Sequence, residues 1–156
     1  MEMEPEGRRN LSMIVIRVLV GVVFLLEGSL KFLRPEELCA ERYAALGLPF
    51  PHYLGLLVGG LEIGGGAAIL LNFYAGDAAL ALLAVIVTAL FANKFPILLG
   101  RPLGPFPLEK LKEYGLLSFF HAARTEFCMA FCLLAIVIDS GLKLGRRRRW
   151  YQTGPS

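Results

Sequence analysis

The sequence has few of the residues that hold metal ions or form disulfides. It contains two histidines and three cysteines, and the cysteines (Cys39, Cys128 and Cys132) form neither a zinc pattern nor a Cys-x-x-Cys redox motif. His52 and His121 both lie near the start of an apolar stretch, and two histidines alone are a weak basis for a haem or metal site. We therefore predict no metal centre, and we expect Cys128 and Cys132 to pack as small apolar side chains.

The sequence predicts neither a phosphate-binding loop nor a cleavable leader. The glycine-rich run 59–66 lies within an apolar stretch and lacks the strand-to-helix context of a phosphate loop. The first apolar stretch is longer than the roughly 7–15 residues of a signal-peptide core, and its C-terminal end has Lys31 and Arg34 in place of small residues. We therefore expect a permanent helix there.

The chain is rich in apolar residues, with 56% hydrophobic residues and a mean hydropathy of +0.60. A membrane-spanning helix needs about 20 predominantly apolar residues to cross a hydrocarbon core of about 30 Å. Four stretches approach that length, namely Ile14–Leu33, Tyr53–Leu71, Ala78–Leu99 and Phe119–Gly141. The predicted fold class is an all-α integral membrane protein, a bundle of four transmembrane helices in contact with the lipid bilayer.

Short interfacial helices are predicted in the two external loops. The first begins at Pro35-Glu36-Glu37, with proline at the first position and acids in the first turn, and ends near Gly47. The second covers Leu108–Tyr114. Both are expected to lie on the membrane surface.

Basic residues near the ends of the chain predict its orientation. Arg8 and Arg9 precede the first stretch and the run 146–149 is all arginine, which under the positive-inside rule places both termini in the cytoplasm. This distribution is not typical of a nucleic-acid-binding protein. The predicted organisation is a disordered cytoplasmic N-terminus (residues 1–10), a four-span domain (11–141) and a basic cytoplasmic tail (142–156), all in the plasma (inner) membrane.

Polar and ionisable residues lie inside these apolar stretches. A charge at the centre of a membrane helix costs about 2.5–3.5 kcal/mol on insertion scales, so such groups normally face protein or water and often mark function. If the helices alternate in direction, one leaflet contains Glu27, Lys31, Asn93, Lys94, His121, Arg124 and Glu126, with Glu62 nearer the midplane.

Helical spacing assigns faces to these residues. Gly59, Glu62 and Gly66 share a stripe on the second span, so we expect both glycines at a helix contact and the acid facing protein. On the first span, Arg17 shares a stripe with Lys31, and Glu27 lies four residues before Lys31, a spacing that favours an ion pair. A stripe on the fourth span contains His121, Thr125, Cys128, Cys132, Ala135 and Asp139, with Arg124 beside it.

The order and spacing of these residues resemble the DoxX family of small four-span membrane proteins. The matching pieces are Arg17-x-x-x-Gly21-x-x-Phe24-x-x-x-Gly28-x-x-Lys31-Phe32, Gly47-Leu48-Pro49, Glu62-x-x-Gly65-Gly66, Lys94-Phe95-Pro96-Ile97-Leu98-Leu99-Gly100 and His121-Ala122-Ala123-Arg124-Thr125-Glu126-Phe127. The resemblance extends over about residues 11–141 and implies a four-helix bundle. It also implies relatives that are subunits of quinone-linked oxidoreductases, notably those acting on thiosulfate, or parts of membrane redox-defence assemblies. Distant animal relatives are assembly chaperones for membrane receptors.

Two hypotheses about function remain open. In the first, the chain is a subunit of a quinone-linked oxidoreductase or membrane redox complex, with quinone as the cofactor and other redox subunits as partners. In the second, it is a non-enzymatic assembly factor, chaperone or structural subunit whose charges only hold its helices together. The candidate residues for a ligand site or polar network are Glu27, Lys31, Glu62, Lys94, His121 and Arg124, and those for structure are Arg17, Gly59 and Gly66. Whether the chain is itself catalytic stays open.

Overall fold

The computed structural model describes residues 5–40, 43–44, 47, 49–103, 106, 108–111 and 113–152. These residues form five α-helices and one π-helical turn and contain no β-strand, only an isolated bridge between Leu103 and Phe106. In chain order the elements are α1 (Pro5–Leu33), the π-helical turn (Glu36–Ala40), α2 (Pro51–Leu70), α3 (Ala75–Leu99), α4 (Leu116–Ala122) and α5 (Arg124–Gln152). The predicted all-α class is confirmed.

Three helices are long and apolar enough to cross a membrane. They are the segment Gly7–Leu33 of α1 and the whole of α2 and α3. In each, only 28% of the apolar window is buried inside the protein, so most of the apolar surface faces outward, as expected of helices in lipid. A fourth span exists if α4 and the part of α5 up to Gly141 count as one bent helix pair.

The predicted fourth stretch is therefore not one continuous helix. It is broken at Ala123, where α4 and α5 meet at a bend of 62°. Arg124 Nη1 donates a 2.6 Å hydrogen bond to the carbonyl of His121, which in an unbroken helix would accept from the amide four residues later. The side chain competes for this acceptor at the bend, and the predicted stripe from His121 to Asp139 is interrupted.

Helix starts follow the local sequence. Pro5 and Pro51 open α1 and α2, where the missing N–H of proline costs no helical hydrogen bond. Residues 5–10 are helical, so α1 extends N-terminally beyond the predicted start near residue 11. The α2–α3 connection is tight, and Asn72 and Tyr74 adopt positive φ angles of 55° and 47° within it.

Glycines bring α1 and α2 into backbone contact, and α1 packs more extensively on α2 than on any other described element. A Cβ added at Gly66 would lie 2.8 Å from the carbonyl oxygen of Gly21, and one added at Gly28 would lie 2.7 Å from that of Gly59. Real side chains do not make such short contacts. Only glycine permits this approach of the two helices, which is how small residues drive helix packing in lipid.

The buried core joins α1, α2, α3 and α5. Its largest fully buried apolar side chains include Val20, Ile69, Leu82, Leu133 and Ile136. Only three charged residues in the described part of the chain are classed as buried, namely Arg17, Glu62 and Asp139.

The predicted interfacial helices are not confirmed. The first range contains the π-helical turn Glu36–Ala40, whereas residues 41, 42, 45 and 46 lie outside the described part of the chain. The described residues of the second range, 108–111 and 113–114, are not helical. There the Tyr114 hydroxyl accepts from the amide of Leu111 and donates to the carbonyl of Glu109, and these local bonds hold the loop in another conformation.

Candidate functional site

A largely buried ion pair joins α1 to α2. Lys31, in the last turn of α1, places Nζ 2.5 Å from Glu62 Oε2, in the middle of α2. The two side chains are 14% and 7% exposed. Gly59 lies one turn before Glu62, and a Cβ there would be 3.1 Å from Lys31 Cβ. The absence of a side chain at residue 59 lets the lysine stem lie against α2 and reach the carboxylate.

Lys31 does not pair with Glu27, the partner suggested by the four-residue spacing. Glu27 is exposed and forms no ion pair with any residue that the structure describes. Glu62 offers Lys31 a partner that is shielded from solvent, where the attraction between opposite charges is stronger. Two charges held in such a place are tolerated because each neutralises the other.

A cavity of about 770 Å³ lies beside this ion pair, and both Lys31 and Glu62 line it. Most of its wall comes from α2 and α3 and is apolar, including Val58, Leu61 and Val85. Binding sites for small molecules typically have volumes of about 300–1,000 Å³, with mostly apolar walls and a few fixed polar groups. The cavity has this composition.

The α3 wall adds further polar groups. Thr88 Oγ1 and Asn93 Nδ2 each donate a 2.8 Å hydrogen bond to the carbonyl four residues earlier in α3, which fixes their side chains against the helix. Pro96 lies inside α3 and has no N–H to donate to the carbonyl of Ala92, a residue that lines the cavity. Residue 96 therefore supplies no helical hydrogen bond to that carbonyl. This interruption of the helical hydrogen bonds was not predicted, although proline within an apolar stretch is a signal for it.

The other predicted site residues lie elsewhere. Lys94 Nζ is 3.3 Å from Glu109 Oε2, in the loop after α3, and Glu109 is 55% exposed. His121 and Arg124 are exposed at the bend between α4 and α5. Within the described part of the chain, neither these three residues nor Glu27 lines the cavity. Of the six candidates, the structure brings only Lys31 and Glu62 together at the cavity.

A second buried ion pair joins α1 to α5 and was not predicted. Arg17 Nη2 donates to Asp139 Oδ2 at 3.0 Å, and Arg9 Nη2 lies 3.7 Å from the other oxygen of the same carboxylate. Arg17 and Asp139 are both buried. The sequence placed each on a helical stripe, and the available signal is that the two residues carry opposite charges within apolar stretches.

The geometry suits an amphipathic ligand better than a metal ion. No group of three or more His, Cys, Asp or Glu residues in the described segments is arranged to hold a metal. The cavity instead combines an ammonium donor, a carboxylate acceptor and apolar walls. Such a site can bind a flat, largely apolar molecule that carries one or two hydrogen-bonding oxygens.

Comparison with known proteins agrees with a membrane assignment. The profile of the DoxX family matches residues 12–94, which include Arg17, Lys31, Glu62 and Lys94. An uncharacterized membrane protein of Mycobacterium tuberculosis (strain ATCC 25618 / H37Rv) is 36% identical over 126 residues, which cover 81% of this chain and 73% of that protein. No solved structure matches the chain.

Proposed function

This chain belongs to the DoxX family of membrane proteins, and from that membership and the cavity beside Lys31 and Glu62 we propose that it is a subunit of a quinone-linked membrane redox complex. The head group of the quinone occupies the cavity, and its apolar tail extends toward the surrounding lipid. The electrons come from or go to a partner redox subunit. The contribution of this chain is to bind the head group and hold its oxygens.

One observation carries the proposal, which is a buried ion pair on the wall of a mostly apolar cavity within a membrane protein. Intramembrane ionisable groups are costly and commonly mark ligand or proton pathways. Lys31 Nζ is a donor for a quinone carbonyl oxygen, and Glu62 is an acceptor for the hydroxyl of the reduced form. The pair therefore offers complementary groups to both oxidation states.

The same proposal includes the topology. The four spans are α1, α2, α3 and the bent pair of α4 with the apolar part of α5, in the plasma membrane. Both termini are cytoplasmic because the basic residues concentrate near the two ends of the chain. The cavity then opens in the outer half of the membrane, where Lys31 lies at the end of α1 opposite the N-terminus.

A second candidate function is a structural or assembly role, and a separate observation favours it. Both buried ion pairs join α1 to another helix, Lys31 to α2 and Arg17 to α5. Oppositely charged groups buried between helices can fix helix register without binding any ligand. In this alternative the chain stabilises or assembles other membrane subunits, and the cavity is filled by lipid chains.

Filling the cavity distinguishes the two candidates. Leu61 lines the cavity and Leu57, one turn earlier on α2, does not, although both are exposed. We expect Leu61→Trp, in protein purified gently with its partner subunits, to lower the amount of extractable quinone per chain at least fivefold. Leu57→Trp is the matched control and should leave it unchanged. Equal quinone content in the two variants, or a stoichiometric client protein recovered without quinone, would favour the structural role.

A further inference from the structure

A second, smaller pocket lies at the opposite end of α1 from the cavity beside Lys31. Its volume is about 300 Å³. It lies between the N-terminal half of α1 and the start of the α2–α3 turn. Its polar lining residues are Asn10, Arg17 and Asn72, and its apolar ones include Met13, Ile14 and Leu70. This amphipathic lining has no role in the function proposed above.

We propose that this pocket binds the phosphate headgroup of an anionic phospholipid. The phosphate lies against the guanidinium of Arg17 and the amides of Asn10 and Asn72. The glycerol and the first acyl carbons lie on Met13, Ile14 and Leu70. The bound lipid is a structural ligand, separate from the ligand of the larger cavity.

The hydrogen bonding of Arg17 is the first argument. Arg17 is buried, and its Nη2 donates to Asp139, whereas its Nε is buried with no hydrogen-bond partner. A buried donor without a partner is unfavourable, by about 1–3 kcal/mol on typical estimates. Guanidinium groups present several donors in a rigid fork that matches phosphate oxygens. A phosphate beside Arg17, with a small shift of its side chain, supplies the acceptor that the protein itself does not.

The charge of the surroundings is the second argument. Asp139 is shared between two guanidiniums, with Arg17 at 3.0 Å and Arg9 at 3.7 Å. One carboxylate cannot balance both cations, so these three residues carry one excess positive charge. Near a membrane of low dielectric, an anion beside them is more favourable than it would be in water.

The composition of the pocket favours a lipid over free phosphate. Its apolar residues, Met13, Ile14, Val18 and Leu70, continue onto the outward faces of helices α1 and α2, where Ile14 and Val18 are exposed. A free phosphate ion gains no favourable contact from these apolar side chains. A phospholipid satisfies both parts of the pocket, with its phosphate at the polar end and its hydrocarbon along the apolar face.

The test is lipid binding by the purified, delipidated full chain, measured by native mass spectrometry with phosphatidylglycerol or phosphatidylcholine of identical acyl chains. The main variant combines Asn10→Ala with Asn72→Gly, because glycine accepts the positive φ of residue 72 while removing the amide. Arg17→Lys keeps a positive charge near Asp139 but removes the planar guanidinium group with its several N–H donors. Ser12→Ala is the control, since Ser12 is exposed on α1 and donates only to the carbonyl of Arg8.

We expect the native chain and the Ser12→Ala control to retain one phosphatidylglycerol at least about tenfold more tightly than phosphatidylcholine. We expect the double variant and Arg17→Lys each to weaken phosphatidylglycerol binding by about tenfold or more, since each loses hydrogen bonds to a charged group. Equal binding of the two lipids, or native affinity in both variants, would overturn the proposal. Displacement of the lipid by equimolar inorganic phosphate would show a free-anion site and would overturn the lipid assignment.

Discussion

Arg17 and Asp139 connect the first and last long helices of the protein by a buried 3.0 Å hydrogen bond between oppositely charged groups. The residues are 122 positions apart in the chain. Removing one partner of a buried pair leaves an uncompensated charge and typically costs about 3–5 kcal/mol, whereas replacing both by apolar groups is often neutral. The contact therefore makes a direct prediction about stability.

Asp139→Leu alone should destabilise the protein by about 3–5 kcal/mol, because Arg17 then stays buried with its charge unbalanced. The double variant Arg17→Met with Asp139→Leu should recover most of that loss. Thermal unfolding in one detergent measures both effects. A double variant as unstable as the single one would mean that the ion pair does not account for the loss.

The glycine contact between α1 and α2 makes a second prediction. Gly66→Leu should strongly destabilise the fold, since even a Cβ at residue 66 would lie 2.8 Å from a backbone oxygen of α1. Gly64→Leu is the matched control, because a Cβ at residue 64 would meet nothing within 4 Å. Its effect should be neutral or slightly stabilising, as glycine is a poor helix former. Equal unfolding temperatures for the two variants would contradict the observed packing.

The proposed topology predicts which loops are accessible from outside the cell. In a variant with Cys39, Cys128 and Cys132 replaced, a cysteine at Glu109 should react with a membrane-impermeant maleimide in intact cells. The proposed topology places the loop after α3 outside the cell, and Glu109 is 55% exposed. A cysteine at the exposed Phe73, in the α2–α3 turn, should react only after the cells are opened. The reverse pattern would invert the orientation.

The sequence predicted the three long apolar helices α1, α2 and α3 because apolar length is a local property. It also placed Gly59, Glu62 and Gly66 on one face, since a rotation of 100° per residue determines which residues of a helix share a side. It failed where the answer depended on contacts between distant segments. Lys31 takes Glu62 as its partner and not Glu27, four residues away on its own helix, because packing of α1 on α2 offers a buried carboxylate.

The bend at Ala123 and the contact of Arg17 with Asp139 were also missed. The bend involves competition between an arginine side chain and the helical backbone for the carbonyl of His121. The chain shows no proline or glycine between Leu116 and Ile138 that would have marked the break. For Arg17 and Asp139, helical periodicity predicted the side of the helix on which each residue lies. It does not predict which other helix packs against that side.

The most direct test of the proposed function separates the structural role of the ion pair from its role in ligand binding. We would compare Lys31→Met, Glu62→Leu and the double variant, each assembled with its partner subunits. Glu109→Gln is a control, because its exposed pair with Lys94 should contribute no more than about 1 kcal/mol. The single variants should be less stable by about 3–5 kcal/mol, and the double variant should recover most of the loss.

The decisive measurement is quinone-dependent turnover of the complex that contains the double variant, recorded together with its thermal stability. The proposed function predicts that the double variant folds and assembles with near-native stability but has lost at least about 90% of turnover. The reason is that a quinone oxygen has lost its charged partners, and a tenfold loss of rate corresponds to about 1.4 kcal/mol of activation free energy. Native stability together with native turnover in the double variant would contradict the proposal and leave the ion pair with a structural role only.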